Sequence, residues 1–172
     1  MASRAAVSKF FPVFPRFFKW VLISILIGLC TGSASAFFLT LLDRAISFRE
    51  NHAWVFFLLP LGGLIIGWIY HKVGKSVESG NNLLLEEIHN PKNVIPFRMA
   101  LLILFGTVAT HLFGGSAGRE GTAVQMGGSL ADQLTRPFKL SREERSILLM
   151  AGISAGFASV FGAPLAGAVF GL

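Results

Sequence analysis

The chain has 172 residues, 53% of them hydrophobic and only 14% charged, against about 25% charged in soluble globular domains. That composition excludes a soluble enzyme and points to a membrane protein, and 17 Phe and 19 Gly suit lipid-facing surfaces and close helix packing. The net charge of +6 raises nucleic acid as a partner, but the basic residues are scattered through loops rather than clustered on one face. They read as topology signals, and nucleic acid is set aside.

Residues 1–19 carry Arg4, Lys9, Arg16 and Lys19 and no acid, which marks a cytoplasmic N-terminal segment. The uncharged run Trp20–Leu42 is long enough to cross about 30 Å of hydrocarbon. It exceeds the apolar core of a signal peptide, so it reads as a retained span. Its single cysteine, Cys30, allows no intrachain disulfide and reads as apolar filler. Asp43–His52 mixes both signs of charge and predicts a short outer loop. Ala53–Tyr70 is a second uncharged span, returning to His71, Lys72 and Lys75 on the inner side.

Val77–Asn90 is too short to span. Ser79, Gly80, Asn81 and Asn82 are turn and N-cap residue types. They predict a short helix over Leu83–Ile88, ending near Asn90 and Pro91. The helix start offers amide donors to a ligand, although an ordinary capped amphipathic helix at the cytoplasmic surface uses the same residues.

Met99–Gly118 is uncharged again and predicts a span running outward, with His111 as a hydrogen-bonded packing residue. It leads into Gly114–Gly128, GGSAGREGTAVQMGG, where Arg119 and Glu120 stand among small residues. A charge at membrane depth costs about 2.5–3.5 kcal/mol on insertion scales and marks a functional site by default. After Gly121 the pattern is helical, predicting a helix over Gly121–Thr135 fed by a glycine-rich loop, with an acid at the junction. Unpaired N–H groups and a partial positive charge suit such a helix start to an anion. At membrane depth it is tolerated only where protein or a water-filled cavity surrounds it. The Glu120 carboxylate can then occupy the anion site itself and leave on protonation. The competing reading is an extramembrane turn in which Arg119 and Glu120 pair with each other. A phosphate-binding loop is set aside, because no Gly-Lys-Ser/Thr follows.

Arg136, Lys139, Arg142 and Arg145 bring the chain back to the cytoplasmic side. Ser141 with Glu144 predicts a capping box opening a helix. Ile147–Leu172 is uncharged but broken around Phe161-Gly162-Ala163-Pro164, predicting two shorter helices. Gly152 and Gly156, then Ala163, Gly167 and Gly171, recur at spacing four, a pattern of closely packed membrane helices. There is no metal-ligand cluster, no nucleophile with a base, and no cofactor motif.

GREGT (Gly118–Thr122), the following VQMGGSLADQL, and FGAPLAGAVF (Phe161–Phe170) resemble the CLC superfamily of anion channels and proton-coupled anion antiporters, in order from about residue 20 to the last residue. The resemblance implies an all-α integral membrane protein of tilted and re-entrant helices, built as two inverted halves. Residues 20–172 would be the N-terminal half, with Ala163, Pro164 and the spaced glycines as structural residues. It also implies a multi-pass protein of a bacterial inner membrane, homodimeric in its full-length form. Glu120 would be the gating glutamate that blocks the anion site and carries the proton, with Gly118, Arg119, Gly121 and Thr122 around the anion.

Two departures stand out. Thr122 replaces the usual proline of the loop, and Ser79-Gly80-Asn81-Asn82 replaces the usual Gly-Ser-Gly-Ile-Pro. With GNNLLLEEIHNP, both resemble the fluoride-exporting branch, whose members are fluoride/proton antiporters. Asn81 is carried over as the central anion-contacting side chain, with Gly80 and Asn82 beside it. Ser79 is the alternative contact and serves the chloride-type reading. Fluoride is small and strongly hydrated, so its site needs good hydrogen-bond donors. The implied partners are fluoride or chloride, protons and the lipid bilayer, with no cofactor. The second-half glycine-rich motif and central tyrosine of the family have no counterpart, and Tyr70 does not match that position. The chain is therefore expected to be part of a longer transporter; the rival reading is a truncated membrane fragment that does not transport.

Overall fold

The computed structural model describes residues 13–171, all of whose regular elements are helical. Residues 1–12 of the expected cytoplasmic segment, and Leu172, lie outside the described residues. From Val13 onward that segment is already helical.

Helix α1 runs over Val13–Asn51. The outer loop expected at Asp43–His52 is instead the last turns of this helix. Ala45, Arg44, Arg49 and Glu50 of that stretch are good helix formers. Asn51 and His52 bond back to the Ser47 and Phe48 carbonyls at 2.8 and 2.9 Å, and the Arg49 guanidinium donates to the His111 carbonyl at 3.2 Å. At 1.5 Å per residue α1 is about 58 Å long, so it is tilted in a bilayer or projects from it.

The second span opens as a 3₁₀ turn, Ala53–Leu58, and becomes α2, Leu59–Ile69, with Pro60 in its first turn, where the missing N–H costs nothing. It continues through a π turn at Tyr70–Gly74 and a 3₁₀ turn at Lys75–Val77. Helix α3, Asn81–His89, starts two residues earlier than predicted. Its N-cap is Gly80, at φ 54°, and no side chain caps it, so the Ser and Asn residues before Leu83 do not act as caps.

Helix α4 covers Arg98–Leu112, ending earlier than predicted; Gly114 at φ 87° then turns the chain. Helix α5 covers Arg119–Asp132, with Gly118 as N-cap, so Arg119 and Glu120 lie within its first turn. Helix α6, Arg142–Phe161, opens with the predicted capping box: the Ser141 hydroxyl accepts from the Glu144 N–H while the Glu144 carboxylate accepts from the Ser141 N–H. It ends at Gly162 in the left-handed region, and α7, Pro164–Phe170, follows. The break expected around Phe161–Pro164 is at that point.

Helix α5 is the centre of the packing. Phe38, Leu42, Leu104 and Met126 join it to α1 and α4; Ile23, Ile27, Ala131 and Leu148 join it to α1 and α6. Where the glycines of α5 and α6 meet there is no room for a side chain: a Cβ on Gly127 would strike the Gly152 carbonyl oxygen, and one on Gly156 the Ala123 carbonyl oxygen. Gly167 lets α7 sit equally close to Ser154 and Ala158 of α6. Three stretches, Arg16–Asn51, Ala53–His89 and Arg142–Phe161, are long and apolar enough to cross a membrane, and Arg98–Leu112 is a shorter apolar helix. Phe57, Leu64, Trp68, Leu165 and Val169 are exposed, the reverse of a soluble domain, and Cys30 is exposed as well.

Candidate functional site

The N-termini of α3 and α5 open into one cleft of about 350 Å³, with Asn81, Glu120 and Gly121 in its wall and otherwise mainly apolar lining, including Leu85, Val124 and Phe157. The Asn81 side-chain amide nitrogen lies 3.7 Å from where a Cβ on Gly121 would stand. A Cβ at Gly121 would make ordinary contact with that amide, so a larger side chain would reach into the space between the two helix starts. The amides of Asn81 and Asn82 and the Ser79 hydroxyl make no hydrogen bond among the described residues, and all three residues are exposed. Asn81 faces the cleft; Ser79 and Asn82 are not in its wall. At the α3 start, the Asn82 and Leu83 N–H groups bond the Ser79 and Gly80 carbonyls at 3.0 and 3.1 Å, drawing the turn tight.

Gly80 is required twice over: its φ of 54° disfavours any other residue, and a Cβ there would press on the Gln125 amide at 3.3 Å. Gln125 stands one turn beyond Gly121 on α5 and was not singled out in the sequence. Its uncharged amide gave no signal until α3 was seen packed against it.

Glu120 also lines a second cleft, of about 380 Å³, together with His111, Ser116, Gly118 and Arg119. Glu120 is therefore the one residue common to the walls of the two clefts. One carboxylate oxygen is 3.7 Å from the Arg119 Nε, with both side chains about half exposed, so the pairing expected of an extramembrane turn is present but long and weak. The other oxygen lies 3.5 Å from the Cβ position of Gly118. Thr122 is turned away from both clefts: it is buried, and its hydroxyl shares a 2.7 Å hydrogen bond with Thr107 of α4 and donates to the Gly118 carbonyl at 3.1 Å. Thr122 fixes the loop rather than offering its side chain to a ligand. His111 bonds the Thr107 carbonyl through Nδ1 at 2.9 Å.

At the far ends of the same helices lies a cluster that sequence reading missed. Arg145, Glu87 and Asp132 are all at least nine-tenths buried. The Arg145 guanidinium forks onto Asp132 through two 2.7 Å bonds, reaches Glu87 at 2.8 Å, and donates to the Asn93 carbonyl at 2.7 Å. Backbone N–H groups of Lys92 and Ile95 complete the two carboxylates at 2.8 and 2.7 Å. The three side chains tie α3, α5, α6 and the 90–97 connection into one unit. In the sequence Arg145 looks like one of several cytoplasmic charge markers; the available signal is Asp132, the one charged residue within Gly121–Thr135.

The voltage gated chloride channel family matches residues 62–172. This chain belongs to that family, the CLC family. It is a multi-pass membrane protein of a family of channels and transporters, not of enzymes. It is 60% identical over 158 residues to the "chloride/fluoride channel protein" of Pseudomonas syringae pv. tomato, an alignment covering 92% of this chain and 35% of that protein. It is 31% identical over 167 residues to an uncharacterized protein of Methanocaldococcus jannaschii, covering 95% of this chain and 39% of that one. Among solved structures it is similar to a CLC-type fluoride/proton antiporter, at 38% identity and a TM-score of 0.83, covering 88% of this chain and 38% of that one. The fold is therefore CLC-type, and the chain spans between a third and two fifths of the length of these relatives.

Proposed function

We propose that this chain is part of a proton-coupled fluoride exporter and carries its gating acid. The observation that supports this most is that Glu120 lines two clefts at once, at the start of α5 and opposite the start of α3. In this reading fluoride sits between the two helix starts, receiving hydrogen bonds from the Asn81 amide and from backbone N–H groups around Gly80 and Gly121. Gln125 backs the Gly80 turn, and Arg119 adds positive charge at the rim. An ionised Glu120 competes with the anion for the same positive ends; protonated, it leaves, and the anion passes as the proton moves the other way. The exposed amides and the fluoride/proton antiporter relative favour fluoride and Asn81 over chloride and Ser79. The activity belongs to a longer protein, dimeric in a bacterial inner membrane with its N-terminus in the cytoplasm, in which this chain supplies one of two inverted halves.

A second reading, a passive anion channel, has one support: the Pseudomonas syringae relative is described as a channel. Liposomes loaded with fluoride separate the two. With the longer protein, fluoride efflux accompanied by proton uptake, and stalled by an opposing proton gradient, supports the exporter. Efflux that ignores the proton gradient supports the channel. The same assay on the 172-residue chain alone is expected to give no efflux, restored by supplying the missing half.

A further inference from the structure

We propose that the groove between α2 and α4 seats one acyl chain of an anionic phospholipid, with Lys72 and Arg98 holding its phosphate headgroup. The groove encloses about 510 Å³ and shares no lining residue with the α3–α5 cleft. Its walls are Ile65 and Ile69 of α2 and Leu101, Phe105 and Gly106 of α4. The helices run antiparallel: Phe113 fills the space over Gly62 at one end, and Tyr70 lies beside Gly106 and Gly74 toward the other. Gly106 leaves the slot open although packing does not demand it. A Cβ there would meet only the Tyr70 ring, at 3.5 Å, an ordinary contact.

Both walls carry a base at the same end. Lys72 lies one turn beyond Ile69, and Arg98 one turn before Leu101 and Leu102 on the α4 wall. Arg98 donates to the Ser76 hydroxyl at 2.6 Å, which brings the end of the second span to the start of α4. Both residues are exposed, and neither is paired with a carboxylate among the described residues; Lys75 adds a third exposed cation nearby. An apolar slot as long as two helical turns, ending in two unpaired cations at a membrane face, complements a lipid tail and an anionic headgroup.

The test uses the 172-residue chain in nanodiscs of equal phosphatidylglycerol and phosphatidylcholine, extracted into mild detergent, with retained lipids quantified by mass spectrometry. Wild type is expected to retain phosphatidylglycerol several-fold over phosphatidylcholine. Lys72→Gln with Arg98→Gln should abolish that preference, and Gly106→Leu should reduce retention of both lipids. Arg136→Gln with Arg142→Gln, which removes the same charge elsewhere, should leave the preference intact. Circular dichroism checks that each variant is folded. No preference in wild type, or equal loss in the control pair, overturns the proposal. So does a photo-crosslinking benzoylphenylalanine at Phe105 of the longer protein that captures a protein segment instead of phospholipid.

Discussion

Arg145 holds Asp132 through two parallel hydrogen bonds of 2.7 Å each, and the same guanidinium reaches Glu87 at 2.8 Å. Three buried side chains at the end of the helices opposite the Asn81–Gly121 cleft thus fix how far α3 stands from α5. Since Asn81 begins α3 and Gly121 lies in the first turn of α5, the separation of those two residues depends on this clamp.

Removing one partner of a buried pair leaves the others without compensation. Arg145→Met is expected to destabilise the protein by about 3–5 kcal/mol, read as a lowered midpoint of thermal unfolding in detergent. Arg145→Lys should recover only part of the loss, because an ammonium cannot reproduce the fork. An unchanged midpoint in Arg145→Met would show that the cluster bears no structural load.

Glycines in this chain divide into two kinds. A Cβ on Gly156 of α6 would strike the Ala123 carbonyl oxygen, backbone that cannot step aside, whereas one on Gly28 of α1 would meet no atom within 4 Å. Gly156→Ala should therefore lose about 1–3 kcal/mol through overpacking. Gly28→Ala should gain about 0.5–1 kcal/mol by restricting the unfolded chain and favouring helix. The paired unfolding midpoints should move in opposite directions; a shared sign would contradict the packing described.

The box at the start of α6 satisfies two backbone N–H groups reciprocally, Glu144 N–H on the Ser141 hydroxyl at 3.2 Å and Ser141 N–H on the Glu144 carboxylate at 2.9 Å. Ser141→Ala should cost about 1 kcal/mol. Hydrogen exchange confined to the first turn of α6 should rise, with the rest of the helix unaffected.

What was legible in the sequence was whatever depends on local chemistry. The capping box, the Gly162–Pro164 break and the acid at the head of α5 follow from residues a few positions apart. The motifs around Glu120 and Phe161–Phe170 carried the family. The extension of α1 through Asp43–Asn51 is not legible because mixed charge ordinarily ends a span, whereas a tilted helix can carry charged turns beyond the bilayer. The Gly80 cap was missed because Ser and Asn are the usual side-chain caps, and only the approach of Gln125 shows why glycine stands there. The Glu87–Asp132–Arg145 cluster joins residues 13 and 58 positions apart, a pairing that no local pattern announces. The same is true of Thr107 and Thr122, whose hydrogen bond turns the threonine in the proline's place away from the clefts.

The measurement that bears most directly on the account is fluoride efflux and proton uptake, recorded together, from liposomes holding the longer protein with Glu120→Gln. A glutamine keeps the shape of the side chain but cannot carry a proton. Loss of proton uptake, with fluoride flux either stopped or running uncoupled, is the predicted result. Proton-coupled fluoride efflux at the wild-type ratio would contradict the account and remove Glu120 from the gate.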